Sequence, residues 1–280
     1  MSAGVADSVR HVVEATGLDG LTDALGSYIA AQRWSGGRGG RVSDVDFVDA
    51  ATIIDADDCS IVFSVVHARV GDRELRFALP VGMRHAGDPL AERAPAFMIG
   101  EVRRGDRDGF AYDAVGDPAY IAWLWKSMRE GSVVPTGAAE LRFDAVQPHA
   151  LSGPPTPDVR WPGTEQTNTS VVLDDSVFLK HLRRIEDGPS HELQMAEALS
   201  AAGFEHLAPT LALATYAPHG QAPCLLAIAQ PWLRNAADGW ALALTSLRDL
   251  YADAEEADLS DPLQRNVSVD EQGGAFTAEA

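Results

Sequence analysis

The stretch Glu165-Gln166-Thr167-Asn168-Thr169-Ser170-Val171-Val172, followed by Phe178-Leu179-Lys180, holds the residues best suited to chemistry. It reads as a strand, a tight polar turn, a strand, and then a further strand that delivers one buried-side lysine. A lysine so placed lays its stem along a sheet and presents a compact ammonium to phosphate oxygens. The side chains of Thr167, Asn168, Thr169 and Ser170, with their backbone N–H groups, can cap those phosphates from the hairpin side. The turn has no glycine, so it is neither a Walker loop nor another glycine-rich phosphate loop. Each half has a plainer competing reading: Asn and Ser simply make turns, and a strand-end lysine can snorkel to solvent. Taken together, they point to phosphate binding.

A second motif, Gln32-Arg33-Trp34-Ser35-Gly36-Gly37-Arg38-Gly39-Gly40, sets four glycines among basic residues, as an anion site does. It does not follow a strand, which excludes a dinucleotide fingerprint, and Trp34 wedged between helix and sheet is the favoured reading. Arg183 and Arg184 follow Lys180 closely and suit holding the loop or meeting an acidic partner. The eight histidines have no metal-ligand spacing, and no nucleophile elbow is present. Cys59 and Cys224 each sit in an apolar run, as buried thiols do.

The 280 residues, 46% of them hydrophobic, can bury one large core or two modest ones. The formal net charge of -19 argues against nucleic acid and against anionic membrane as partners, because phosphate surfaces need clustered Lys and Arg. No run of about 18 apolar residues suggests a membrane span. No basic-then-apolar leader opens the chain, so the expected compartment is the cytoplasm.

Periodicity supplies the elements that position these groups. Apolar residues at helical spacing over 7–32 predict two helices, broken at Gly17 and Gly20. Antiparallel strands are predicted at 42–48, 51–54, 59–68 and 74–81, a helix at 118–129 and a strand at 139–146. Five prolines between Gln147 and Gly163 mark a semi-rigid spacer, or else a long surface loop. Beyond it lie a hairpin turning at Asp174-Asp175, a helix over 190–202 with the apolar stripe Leu193, Ala196, Ala198 and Leu199, and strands at 207–216 and 223–229. A final amphipathic helix over 240–253 leads into an acidic segment with little to bury.

At these residues the chain resembles the maltokinase family. Gln32 to Arg38 is similar to the motif of that family's cap, with Ser35 where an aromatic is usual, and Glu165 to Val171 departs from its N-lobe signature only at Thr167. Phe178-Leu179-Lys180, Arg183-Arg184, Gly203 to Pro209, Asn235 to Trp240 and Ser246 to Leu250 extend the resemblance over nearly all of the chain. The resemblance implies an α+β fold in four parts. These are a cap domain of helices and antiparallel sheet (1–147), a Pro-rich linker (148–163), a protein-kinase-like N-lobe of five antiparallel strands and one helix in the order β-β-β-α-β-β (164–233), and a hinge with helix and acidic tail (234–280).

It further implies ATP with Mg²⁺ as cofactor and phosphorylation of maltose at its anomeric hydroxyl. The product, maltose 1-phosphate, would feed α-glucan and glycogen synthesis, with trehalose synthase as a partner, and a cousin group phosphorylates glucosamine instead. The implied nucleotide-binding set is Lys180, Thr167, Asn168, Thr169, Ser170, Glu192, Gln230 and Trp232. Kinase N-lobes pair the strand lysine with a helix carboxylate. The aligned place here holds Gln194, which leaves Glu192 or Glu197 to serve. The family's His-Gly-Asp and Asp-Phe-Glu motifs do not occur, so no catalytic or metal-binding residue is assigned. The expectation is a chain inactive alone as a sugar kinase, the alternative being a non-catalytic nucleotide- or partner-binding fragment.

Overall fold

The computed structural model describes residues 13–14, 21–36, 41–104, 107–151, 153–154, 156–162, 168–234 and 239–256. Thr167, with the rest of Glu165–Gln166, falls outside the described residues, as do Gly37–Gly40, Asn235–Asp238 and the acidic segment after Glu256. Residues up to Trp232 pack as one compact unit, and residues from Leu233 on form a second.

The architecture is α+β, with two antiparallel sheets and helices. Helix α1 (Thr22–Ala31) buries Leu25, Tyr28 and Ile29, the i, i+3, i+4 face of an amphipathic helix. The first sheet orders its strands β1-β2-β4-β6-β5, with β3 also paired to β2. They are β1 (Val42–Asp55), β2 (Cys59–Val70), β3 (Arg73–Ala78), β4 (Val81–His85), β5 (Met98–Arg104) and β6 (Arg107–Asp113).

Two expected strands at 42–48 and 51–54 are one strand, because bulges at three places along the β1–β2 ladder absorb the breaks in alternation. Conversely the expected strand at 74–81 is two, since Pro80 has no N–H to donate and lies between β3 and β4. Strand β2 is buried on both faces: Cys59, Ile61, Phe63 and Val65 join one core, and Val62, Val66, Ala68 and Val70 the other. That double burial explains its nearly continuous apolar run. The turn Leu90–Arg93 and helix α2 (Pro118–Glu130) follow, α2 opening at the Asp117 N-cap and closing at Gly131 with φ 63°.

The second sheet orders its strands β7-β8-β12-β13-β11-β10-β9. Strands β7 (Val133–Pro135) and β8 (Ala139–Ala145) precede the proline-rich stretch, and β9 (Val159–Arg160) lies inside it, at the sheet edge where a proline-flanked strand is tolerated. Then come β10 (Thr169–Leu173), β11 (Val177–His181), α3 (His191–Ala201), β12 (Ala212–Pro218) and β13 (Cys224–Pro231). Strands β9 to β13 with α3 give five strands and one helix in the order β-β-β-α-β-β. Between β10 and β11, whose register pairs Leu173 with Val177, Asp174 and Asp175 both have positive φ, 48° and 47°, and Ser176 N–H closes the turn on Leu173 O at 2.9 Å.

One core cluster joins α2 and β2 to residues of β10, β11, β12 and β13, so the sheets share their interior. Both cysteines are buried free thiols, their pKa raised by burial. In the second unit, helix α4 (Gly239–Glu256) leaves Trp240, Leu247 and Leu250 exposed. No helix among the described residues is long and apolar enough to cross a membrane.

Candidate functional site

Strand alternation sorts the residues of β10, β11 and β13 onto two faces. Across the ladders, Ser170 stands opposite Lys180 and Lys180 opposite Ile228, while Val172, Phe178 and Gln230 form the next row. Directly opposed residues share a face. Lys180, Phe178, Ser170, Val172, Ile228 and Gln230 therefore lie on one side. The opposite side, with Val171, Leu173, Val177, Leu179, Ala227 and Ala229, is in the core.

The Lys180 ammonium donates to both oxygens of Glu192, at 2.9 and 2.7 Å. The lysine is 22% exposed and the carboxylate 41%. Glu192 reaches it from the first turn of α3, where the Ser190 hydroxyl accepts from Leu193 N–H and fixes the helix start. Of the two candidate carboxylates, Glu192 thus meets the lysine, and Glu197 and Gln194 are exposed on α3. The apolar stripe of that helix is shallow: Leu193, Ala196 and Leu199 are half-buried, and Ala198 is exposed.

Two residues along the strand from Lys180, about 7 Å away, Phe178 stacks on Trp232 with centroids 5.8 Å apart and planes at 25°. Arg160 on β9 lies over the Trp232 ring, 5.8 Å from its centroid. Trp232 is held in place by its own N–H, donated to Ser176 O at 2.7 Å, and Gln230 donates its amide to Ala208 O at 3.0 Å. The face thus carries a cation at one end and an aromatic plate at the other. Sequence reasoning placed Trp232 in the binding set but missed its pairing with Phe178. The signal was available in the i, i+2 relation of Phe178 to Lys180.

Asn168 and Thr169 stand where β10 begins, and Asn168 and Glu192 line a cavity of about 430 Å³ with Arg33, Gly36, Arg184 and Ser190. A larger cavity of about 880 Å³ lies in the first sheet, among Asp55, Asp58, Cys59, Arg84 and Asp108, and touches none of the expected nucleotide-binding set. Among the described residues no three His, Cys, Asp or Glu side chains gather to hold a metal ion.

Behind the site, Arg183 is fully buried against Asp113 (side chains 1% and 0% exposed). Its Nη1 donates to Asp113 Oδ1 at 3.0 Å, while Nη2 lies 2.8 Å from Oδ2 without hydrogen-bond alignment. Its Nε donates to Thr169 Oγ1 at 2.9 Å, and the Trp34 ring covers the guanidinium at 5.4 Å. Tyr28 donates to Asp113 Oδ2 at 2.8 Å. Trp34 itself is buried edge-on to Phe77, the wedge anticipated for it. Sequence reasoning offered Arg183 an acidic partner without naming Asp113, which is separated from it by 70 residues. On the core side of β11, His181 Nε2 lies 2.9 Å from Tyr120 Oη, and burial with the nearby Arg183 charge holds the imidazole well below its ordinary pKa.

Residues 28–117 match the family model of the maltokinase N-terminal cap domain. That segment is similar to the maltokinase cap domain. The match runs from Tyr28 through the Trp34 motif to Asp113 and Asp117, so the matched segment contributes three of the side chains around Arg183. Solved structures of glucosamine kinase, in two crystal forms and in complex with glucosamine, ADP and inorganic phosphate, align with 75–76% of the chain at 19% identity and TM-scores of 0.41–0.43. The chain spans about 40% of the length of those kinases. Such likeness is too distant to transfer ligands, so the reading below rests on the cap domain and on the geometry.

Proposed function

We propose that this chain is the nucleotide-binding part of an ATP-dependent sugar kinase of the maltokinase type. The observation that carries this reading is the Lys180–Glu192 pair on a half-buried sheet face that also bears the Phe178–Trp232 stack. In this reading Lys180 contacts phosphate oxygens, and Glu192 holds the ammonium in place so that no rotamer search precedes binding. The aromatic plate takes the base, because stacking and apolar contact suit a flat heterocycle. Asn168, Ser170 and Thr167 offer hydroxyl, amide and backbone donors to the phosphates, and Thr169, whose hydroxyl accepts from Arg183, takes part through the position of the hairpin start. Gln230 and Trp232 border the base at the strand leading to the hinge.

When bound, Mg²⁺ would neutralise the phosphate charge, and its ligands are not assigned among the described residues. The acceptor in this reading is maltose, phosphorylated at the anomeric hydroxyl to serve α-glucan and glycogen synthesis. Trehalose synthase is the proposed partner and glucosamine the alternative acceptor. The cap-domain match supports a sugar kinase of this type.

Isothermal titration of the purified chain with MgATP tests the nucleotide step. Micromolar-to-millimolar binding is expected, weakened about 10–100-fold in Lys180→Ala, the worth of one charge-assisted contact. Equal affinity in Lys180→Ala and the parent, or no binding by either, removes the reading. A coupled assay for ADP release with maltose or glucosamine in turn decides the acceptor.

A further inference from the structure

Arg183 makes contacts that its neighbourhood does not need for stability alone. A buried ion pair contributes little net stability, because desolvation of both charges offsets their attraction, and well-packed apolar replacements are often as good. What this pair does is connect. Asp113 ends β6 in the cap domain, and it is pinned by the Tyr28 hydroxyl and by Val115 N–H at 3.2 Å. Arg183 donates Nη1 to Oδ1, keeps Nη2 within 2.8 Å of Oδ2 and, from the other edge of the guanidinium, donates Nε to the Thr169 hydroxyl. Thr169 is the first residue of β10, between Asn168 and Ser170, and Ser170 stands opposite Lys180. The planar guanidinium, clamped under Trp34, transmits the position of the carboxylate rigidly to that hydroxyl. The arginine's own backbone is tied too, its carbonyl accepting from Ala78 N–H at 2.8 Å.

We propose that Arg183 is a positioning residue through which the cap domain, by way of Asp113, fixes the start of the phosphate-binding hairpin relative to Lys180. The cap domain thereby sets nucleotide affinity without touching nucleotide. The functional half of this inference rests on the nucleotide reading given above, whereas the mechanical half, cap to hairpin, does not.

The test uses the full chain, with hydrogen exchange at the 168–172 amides and MgATP titration as paired readouts. Thr169→Val, which removes the acceptor at nearly constant volume, should speed exchange at those amides and weaken MgATP about tenfold, the worth of one hydrogen bond to a charged group. Thr169→Ser keeps the hydroxyl and should restore both. The apolar replacement Tyr28→Phe/Asp113→Leu/Arg183→Met should loosen the same amides while the chain still unfolds cooperatively. If that variant fails to fold, the two Thr169 variants decide. Parent-like exchange and affinity in Thr169→Val overturns the proposal, as does an equal loss in Thr169→Ser. A parent chain that binds no MgATP, yet whose 168–172 amides respond to Thr169→Val and recover in Thr169→Ser, supports the cap-to-hairpin link and sinks the nucleotide reading. Lys180→Ala separates the two: it should weaken binding about 10–100-fold and leave exchange at 168–172 unchanged.

Discussion

Lys180 and His181 are adjacent on β11 and have opposite fates, because successive strand residues point to opposite faces. The lysine reaches the open face, while the imidazole is sealed against Tyr120 and held neutral by burial and by the Arg183 charge. Folding therefore depends on a histidine that resists protonation. Its folded pKa lies below the unfolded value of about 6.5, so the unfolded chain binds the extra proton, and stability present above about pH 6.5 is lost as pH falls toward the folded pKa. The expected outcome is an unfolding free energy, from urea titrations, that drops between pH 7 and pH 5 by up to about 1.4 kcal/mol per pH unit from this group. His181→Gln, which keeps a partner for Tyr120, should flatten that slope; an unchanged slope in the variant would assign the acid sensitivity to other groups. A second residue-scale expectation concerns Lys180→Arg. A planar guanidinium does not reproduce a point ammonium held by one carboxylate, so MgATP titration should show a loss nearly as large as in Lys180→Ala.

Among the elements, α3 bears most directly on the site, since it presents Glu192. None of its residues is buried, and its ends are set by local chemistry instead: Ser190 at the N-cap, and Gly203 with φ 76° at the far end. There Gly203 N–H bonds to Ser200 O and Phe204 N–H to Leu199 O. Ser190→Ala should destabilise the helix by about 1 kcal/mol. Because so little packing holds it, the effect should appear as faster hydrogen exchange in the first turn of α3 and weaker Lys180–Glu192 pairing, with the global unfolding midpoint nearly unmoved.

This helix was legible in the sequence because caps are short-range signals, and so were α2, which starts at Asp117-Pro118, and the Asp174-Asp175 hairpin. Strands β5 and β6 were not. The residues where they meet, Arg103, Arg104, Arg107 and Asp108, are all charged, which leaves each strand too short an apolar stretch to mark it. Pairing of β6 with β4, and of β5 with β6, makes them strands, and the first of these is not local information. For the site, the lysine, its helix carboxylate and Trp232 could be read from residue type and order. The Asp113–Arg183 pair could not, because nothing in a linear pattern specifies which acid a buried arginine meets.

At the scale of the molecule, the two sheets are fastened by polar groups as well as by shared core. Asp49 of β1 is fully buried and accepts four hydrogen bonds: from its neighbour Ala50 N–H at 2.9 Å, Ala138 N–H at 3.0 Å, the Thr136 hydroxyl at 2.5 Å and the Tyr216 hydroxyl at 2.8 Å. Thr136 and Ala138 lie between β7 and β8, and Tyr216 on β12, so one carboxylate of the first sheet organises the second. Asp49→Ala orphans several buried donors at once and should lower stability by about 3 kcal/mol. Both sheets should still melt in one transition, since they share a core; separate transitions in urea followed by tryptophan fluorescence and far-UV circular dichroism would contradict that coupling.

The seven-stranded sheet ends at β7 on one side and β9 on the other, a three-residue strand containing Pro135 and a two-residue strand between Pro157 and Pro162. Such stubs offer a visiting backbone almost no ladder to extend. Oligomer formation by strand addition, and the fibrillar stacking that grows from it, is thereby closed off at this sheet.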